Sequence, residues 1–302
     1  MTAPGTRIDV EFRSRDSHCA GWLYPADSSG EPAPCIVMGH GFGALKEARL
    51  AAYATRFQGA GFAVLAFDYR HFGASGGQPR QLVNIQSQLD DWAAAIDYVR
   101  ALKSVDPSRI IAWGSSFGGG HAIRTAARDR RIVAVIAQAP HVSGLASARA
   151  AGKGANLRLA AAGVRDTIGA VLRRPPLYAP IVGPPGSLAA VTSSDAESGY
   201  HAMYSDGFVW RNEVAARAFL ATAMYSPGRD AGRVRCPLLV QVATADAVTP
   251  PEAALRAAGR AARAQVLQYP VGHFDIYLGE AFEQSVTDQL SFLARHVDFA
   301  RA

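Results

Sequence analysis

Several strand-length runs in this chain are apolar at nearly every position, and stretches of helical periodicity lie between them. "PCIVMGH", "FAVLAFD", "RIIAWG", "RIVAVIAQAP" and "CPLLVQVA" offer no polar face to water. Strands of that kind must be covered on both sides, which points to an α/β fold with a mostly parallel central sheet between two layers of helices. The covering helices are legible as well. "EARLAAYATRFQGAG" is periodic and stops at Gly59 and Gly61, and "NIQSQLDDWAAAIDYVRAL" is periodic behind Asn84, a good N-cap residue. "SFGGGHAIRTAAR", "PEAALRAAGRAAR" and "YLGEAFEQSVTDQLSFLARH" supply further helices, and "AQVLQYP" a further strand. "RIDVEF" and "AGWLYP" open the chain as a pair of strands.

One region breaks this rhythm. Between Pro140 and Cys236 the chain uses far more residues than a crossover helix needs. Helical stretches from Ala146 to Leu172 lead into the turn-rich "RRPPLYAPIVGPPG" and then into "GYHAMYSDGFVWRNEVAARAFLATAMY". Connections this long are usually functional or fold as a unit of their own. The expected organisation is a core in two parts, residues 1–144 and 233–302, with a helical lid, residues 145–232, inserted after strand 6.

Composition excludes several function classes. Hydrophobic residues at 49% and charged residues at 19% predict a soluble globular chain. No run approaches the ~18 apolar residues of a membrane span, and "MTAPGTRIDVEFRSRD" has no signal-peptide core. Cys19, Cys35 and Cys236 are odd in number and far apart, which suits free thiols in a reducing cytoplasm better than disulfides or a metal site. The net charge of +6 raises the question of nucleic acid. The arginine clusters at Arg128, Arg130 and Arg131 and at Arg173 and Arg174 carry no interleaved aromatics and no nucleic-acid motif. The expectation is a cytoplasmic protein with a small-molecule substrate, no nucleic-acid or membrane partner and no metal, with homodimerisation left open.

The chemistry centres on "AWGSSFGGGHA". A sharp strand-to-helix turn that exposes a serine needs very small residues two before and two after it. Centred on Ser116, those positions are Gly114 and Gly118. Centred on Ser115, they are Trp113 and Phe117, which would clash. Ser116 is therefore the candidate nucleophile. A serine hydroxyl needs a base. His18, His121, His141, His201 and His296 lie in a hairpin, on helices or beside the lid, whereas His273 stands in "YPVGHFD" just past the last strand, where loops of a parallel sheet converge. Asp246, in "VATADAVTP", follows the preceding strand and is the candidate orienting acid, with Asp275 a minor rival. Two backbone N–H groups should receive developing negative charge: that of Phe117 after the nucleophile, and that of Phe42 in "GHGFG".

A rival reading is formal. Gly39-x-Gly41-x-x-Ala44 follows a strand and Asp68 ends the next, as in a dinucleotide fingerprint, but this leaves Ser116, Asp246 and His273 unexplained. A catalytically dead receptor on the same fold is a second rival, which an intact set of three residues argues against. "HGFG", "FDYRHFGASGG", "GSSFGG", "ATADAVTP" and "GHFDIY", in that order and across nearly the whole length, resemble the α/β-hydrolase-fold serine hydrolases. The similarity is greatest to the dienelactone-hydrolase and acyl-peptidase-like esterase branch and to the related polyketide acyltransferases. That resemblance implies an esterase or thioesterase with a Ser-His-Asp triad, an acyl-enzyme, no cofactor and a small to medium apolar substrate. Acyl transfer or C–C bond hydrolysis on the same triad is the alternative. One departure, Asp68-Tyr69-Arg70-His71-Phe72-Gly73 where many members have Arg-Gly after Asp-x, is expected to alter the pocket wall. Among the lid's aromatics, Tyr178, Tyr204, Phe208 and Trp210 are expected to contact substrate.

Overall fold

The computed structural model describes residues 5–26, 31–151 and 153–297. In chain order the first part of the core comprises β1 (Ile8–Ser14), β2 (Ser17–Tyr24), β3 (Ala33–Gly39), α1 (Leu50–Gly59), β4 (Ala63–Phe67), α2 (Ile85–Arg100), β5 (Val105–Ser115), α3 (Phe117–Arg128) and β6 (Ile132–Gln138). The segment expected as a lid then forms α4 (Gly144–Ala151), α5 (Lys153–Val171), β7 (Tyr178–Ala179), α6 (Ala196–Ala202), β8 (Val214–Ala215) and α7 (Ala218–Met224). The chain returns through β9 (Leu238–Ala243), α8 (Pro251–Ala258), β10 (Ala264–Tyr269) and α9 (Gly279–His296).

The eight-stranded sheet has the order β1-β2-β4-β3-β5-β6-β9-β10. β1 with β2 and β2 with β4 are antiparallel; from β4 onward every pairing is parallel. The apolar runs explain this. Every residue of β3, β4 and β9 is buried, as helices on both faces require. α1 and α9 pack together over one face, while α2, α3 and α8 cover the other. Asn84 caps α2 as expected, its side chain accepting from the Ser87 N–H at 3.0 Å.

Three boundaries differ from the sequence reading. α1 begins at Leu50, not near Glu47, because the Lys46 N–H is drawn to the Asp68 carboxylate at 2.8 Å and Arg49 turns left-handed (φ 63°). α8 ends at Ala258, where Gly259 caps it, well before Arg263. Tyr277 falls in a short 3₁₀ turn ahead of α9. The β7–β8 pairing of Tyr178–Ala179 with Val214–Ala215 has too little periodic signal to be read from sequence. Cys19 and Cys35 are buried and Cys236 half-buried, all as free thiols. Among the described residues no helix is long and apolar enough to cross a membrane.

Candidate active site

β5 carries the chain straight into α3, and Ser116 sits at the junction with φ 54° and ψ −120°, a conformation a non-glycine residue adopts only under constraint. The flanking glycines are sterically required. A Cβ on Gly114 would lie 2.1 Å from the Gly118 carbonyl oxygen, and one on Gly118 would lie 2.3 Å from the Gly39 carbonyl oxygen. Side chains alternate along a strand, so Ser115 shares the sheet face of Trp113. There Ser115 meets the Tyr277 hydroxyl at 2.5 Å and accepts from Gln138 Nε2 at 3.1 Å. Gln138, Gln241 and Gln289 continue that polar layer, and all three are fully buried. Both serines touch the cavity, but their hydroxyls have different partners: that of Ser115 lies in the buried polar layer and that of Ser116 meets His273.

The loops after β9 and β10 bring the other two residues to the same edge. His273 Nε2 lies 3.1 Å from Ser116 Oγ, and His273 Nδ1 lies 2.6 Å from Asp246 Oδ2. Asp246 is held in turn. Its Oδ1 accepts from the Val248 and Thr249 N–H groups, each at 2.7 Å, and its Oδ2 from the Thr249 hydroxyl at 2.7 Å. Burial would raise its pKa, but the His273 imidazole and the Thr249 donors outweigh that and hold the carboxyl below its ordinary range. Asp275 points away: it is exposed and accepts from the Gly272 N–H at 2.8 Å, tightening the histidine's loop. Thr249 was missed by sequence reasoning. Its signal is the D-x-x-T spacing, in which an aspartate accepts from backbone two and three residues on.

The Gly41 backbone lies against Ser116, so that a Cβ there would be 3.2 Å from Ser116 Cβ. Neither the Phe42 nor the Phe117 N–H has a hydrogen-bond acceptor among the described residues. For Phe117 this follows from its place as the first residue of a helix. The Phe42 loop is tied down from the segment between β6 and β9. The Tyr200 hydroxyl donates to the Phe42 carbonyl, Trp210 Nε1 donates to the Gly43 carbonyl at 3.1 Å, and the Leu45 N–H donates to the Tyr204 hydroxyl at 3.2 Å.

A cavity of about 900 Å³ opens onto Ser116 and His273. Its wall includes Phe42, Leu159, Val191, Met203, Phe219 and Val248. Among the described residues no Asp, Glu, Lys or Arg side chain lines it. Tyr178, Tyr204, Phe208 and Trp210 do not line it either. Tyr204, Phe208 and Trp210 stack on one another, and the Tyr178 hydroxyl donates to the Arg80 carbonyl at 3.1 Å. The polar tips of Tyr178, Tyr204 and Trp210 are satisfied on the core's backbone and Phe208 stacks on Tyr204, so these aromatics anchor the segment in place of facing the cavity. The Asp68–Gly73 departure also leaves the wall untouched. Arg70 is buried on Asp91 (2.8 Å) and Ser14 (2.6 Å), and none of these six residues lines the cavity. Asp68 is fully buried with its carboxylate on Lys46 Nζ at 2.7 Å, so it is not free to hold a ribose.

The model of a family described as serine aminopeptidase, S33, matches residues 30–272. This chain belongs to the S33 family of α/β-hydrolases. The hydrolase is 44% identical over 294 residues to the quorum-quenching protein AidA of Acinetobacter baumannii, covering 97% of this chain and 96% of that protein. It is 32% identical over 304 residues to the polyketide transferase ATR5 of Stachybotrys chlorohalonatus, covering 97% and 99%. The crystal structure of the α/β-hydrolase GrgF from Penicillium sp. superposes with a TM-score of 0.83 at 26% identity, covering 97% of this chain and all of that one. The chain is an enzyme of this class.

Two further histidines of the hydrolase are explained by their surroundings. His121 is fully buried between the Tyr225 hydroxyl (2.7 Å) and Gln88 Oε1 (2.9 Å). His141 lines the cavity, and burial together with the nearby His273 lowers its pKa to about 4, so it is neutral at pH 7.

Proposed function

We propose that this hydrolase cleaves neutral carboxylic esters and thioesters with an apolar acyl part, through an acyl-enzyme on Ser116. Ser116 Oγ attacks the carbonyl carbon as His273 Nε2 takes its proton, and Asp246 stabilises the imidazolium. The Phe42 and Phe117 N–H groups receive the oxyanion. His273 then protonates the leaving group, and water, activated by the same imidazole, releases the acid. The observation that carries this reading is the hydrogen-bonded line Asp246–His273–Ser116 opening into a large cavity that, among the described residues, no charged side chain lines.

The test is kcat/KM for acetyl, butyryl, hexanoyl and succinyl esters of one leaving group. Each buried methylene is worth ~0.8 kcal/mol, so the rate constant should rise up to about fourfold per carbon until the cavity is filled. The succinyl ester should be the poorest, since its carboxylate would lose water and, among the described residues lining the cavity, no cation would meet it. A preference for the succinyl ester would overturn the reading.

Acyl transfer to an acceptor other than water is a second reading, favoured by a cavity at the large end of ligand pockets and by the polyketide transferase relatives. Adding an apolar alcohol during turnover separates the two. Accumulation of the transfer ester at the expense of free acid marks a transferase.

A further inference from the structure

The large apolar side chains that this molecule exposes are concentrated between β6 and β9. Leu157, Val164, Ile168, Val171 and Leu172 are exposed on or just after α5, with Leu145 on α4 and Met224 on α7. Leu157 and Val171 are 74% and 79% exposed, more than a folded surface normally leaves to water. Leu157, Ala161, Val164, Ile168 and Val171 recur at alternating steps of four and three residues, which sets them in one stripe along the outward side of α5. The inward side of the same helix supplies Asn156, Leu159 and Ala160 to the cavity wall. α5 is therefore a partition, with the cavity behind it and an apolar surface in front.

Charge completes the pattern. Arg158 and Arg165 are exposed along one edge of the stripe, and Arg173 and Arg174 are exposed just past its end. The one carboxylate of α5, Asp166, is buried on Arg217 at 2.7 Å and 3.1 Å and also accepts from the Leu177 N–H. The outward side is apolar and cationic, with no anion of its own.

We propose that this side of α5 docks on a membrane surface bearing anionic lipids. The aliphatic stripe would enter the boundary between head groups and acyl chains while the arginines stay at the level of the lipid phosphates. A second copy of the chain fits less well. An antiparallel two-fold pairing of α5 with itself puts Arg158 and Arg165 of both copies along one edge, with no carboxylate of α5 to separate them. The stripe is also only ~21 Å long at ~1.5 Å per residue. One helix face of that length falls well short of the ~800 Å² per partner of a stable interface. The expectation of no membrane partner rested on the absence of a run long enough to span a bilayer; surface docking needs a stripe, which spanning-run criteria do not detect. The proposal concerns docking and does not depend on the reaction at Ser116.

The test is co-sedimentation of the full chain with vesicles of phosphatidylcholine alone and of phosphatidylcholine mixed with phosphatidylglycerol. Binding should favour the mixed vesicles by about tenfold or more and weaken as salt is raised. The quadruple variant L157S/V164S/I168S/V171S should lose at least about tenfold in that binding, with the circular dichroism spectrum of the parent. R158Q/R165Q, which changes only exposed groups, should lose most of the preference for the anionic vesicles and serves if the quadruple variant does not fold. Failure to sediment with the mixed vesicles would overturn the proposal. So would a dimer in light scattering that the quadruple variant, or either half of it, converts to monomer.

Discussion

Ser116→Ala should lose about 10⁴-fold or more in kcat, while Ser115→Ala keeps most of its activity and loses stability instead. The contrast follows from the two environments. Ser116 Oγ has His273 Nε2 at 3.1 Å and borders the cavity. Ser115 Oγ is locked between Tyr277 and Gln138 beneath the elbow. Removing it leaves both partners short of one hydrogen bond in a buried layer, at a cost of ~1–3 kcal/mol. Steady-state kinetics and urea melts of the two variants check this together. Full activity in Ser116→Ala, or a dead but stably folded Ser115→Ala, would show that the elbow presents the other serine.

Asp246→Asn should be nearly as damaging, with kcat down about 10⁴-fold in a folded protein. The carboxylate is wholly an acceptor: Val248 N–H and Thr249 N–H on one oxygen, the Thr249 hydroxyl and His273 on the other. An asparagine would keep its carbonyl on the two N–H groups and turn its NH₂ toward His273 Nδ1. Nδ1 would then accept, the imidazole proton would move to Nε2, and Nε2 could no longer take the proton of Ser116. Asp275→Asn should stay active, because among the described residues the Asp275 carboxylate binds only the Gly272 N–H. There is also a pH signature. Because the folded protein holds the Asp246 carboxyl below its ordinary range, its ionised form stabilises the fold at pH above ~4 and that contribution fades as pH falls lower. Acid melts should therefore show less loss of stability below pH ~4 in Asp246→Asn than in the parent. Activity retained in Asp246→Asn and lost in Asp275→Asn would reverse the assignment.

The fold and the line of three residues were legible for the same reason. Strands apolar on both faces admit few architectures, and a parallel sheet places the ends of its strands on one edge, so Ser116, Asp246 and His273 needed only to follow their strands closely. The glycine spacing around Ser116 was readable because a Cβ on Gly114 or Gly118 would come within 2.1–2.3 Å of a backbone carbonyl oxygen, which leaves no room for any side chain. The cavity wall was not legible. Which side of α5, α6 or α7 faces inward is set by packing against the core, and Tyr178, Tyr204 and Trp210, which looked suited to a substrate, carry polar tips that found the backbone of Arg80, Leu45 and Gly43. Phe219, Met203 and Leu159 line the cavity, and so does the ring of Tyr200, whose hydroxyl is on the Phe42 carbonyl. The short β7–β8 pairing and the turn that delays α1 depend on contacts distant in sequence, and no local pattern announces them.

The most direct measurement is labelling with a fluorophosphonate, read by intact mass and then by peptide mapping. Only a serine activated by a neighbouring base, beside N–H groups that can hold its oxyanion, reacts rapidly with such a reagent. The expected result is a single adduct on Ser116, absent from Ser116→Ala and formed far more slowly in His273→Ala. No adduct on the native protein, or an adduct on Ser115 or elsewhere with Ser116 unmodified, would contradict Ser116 as the nucleophile.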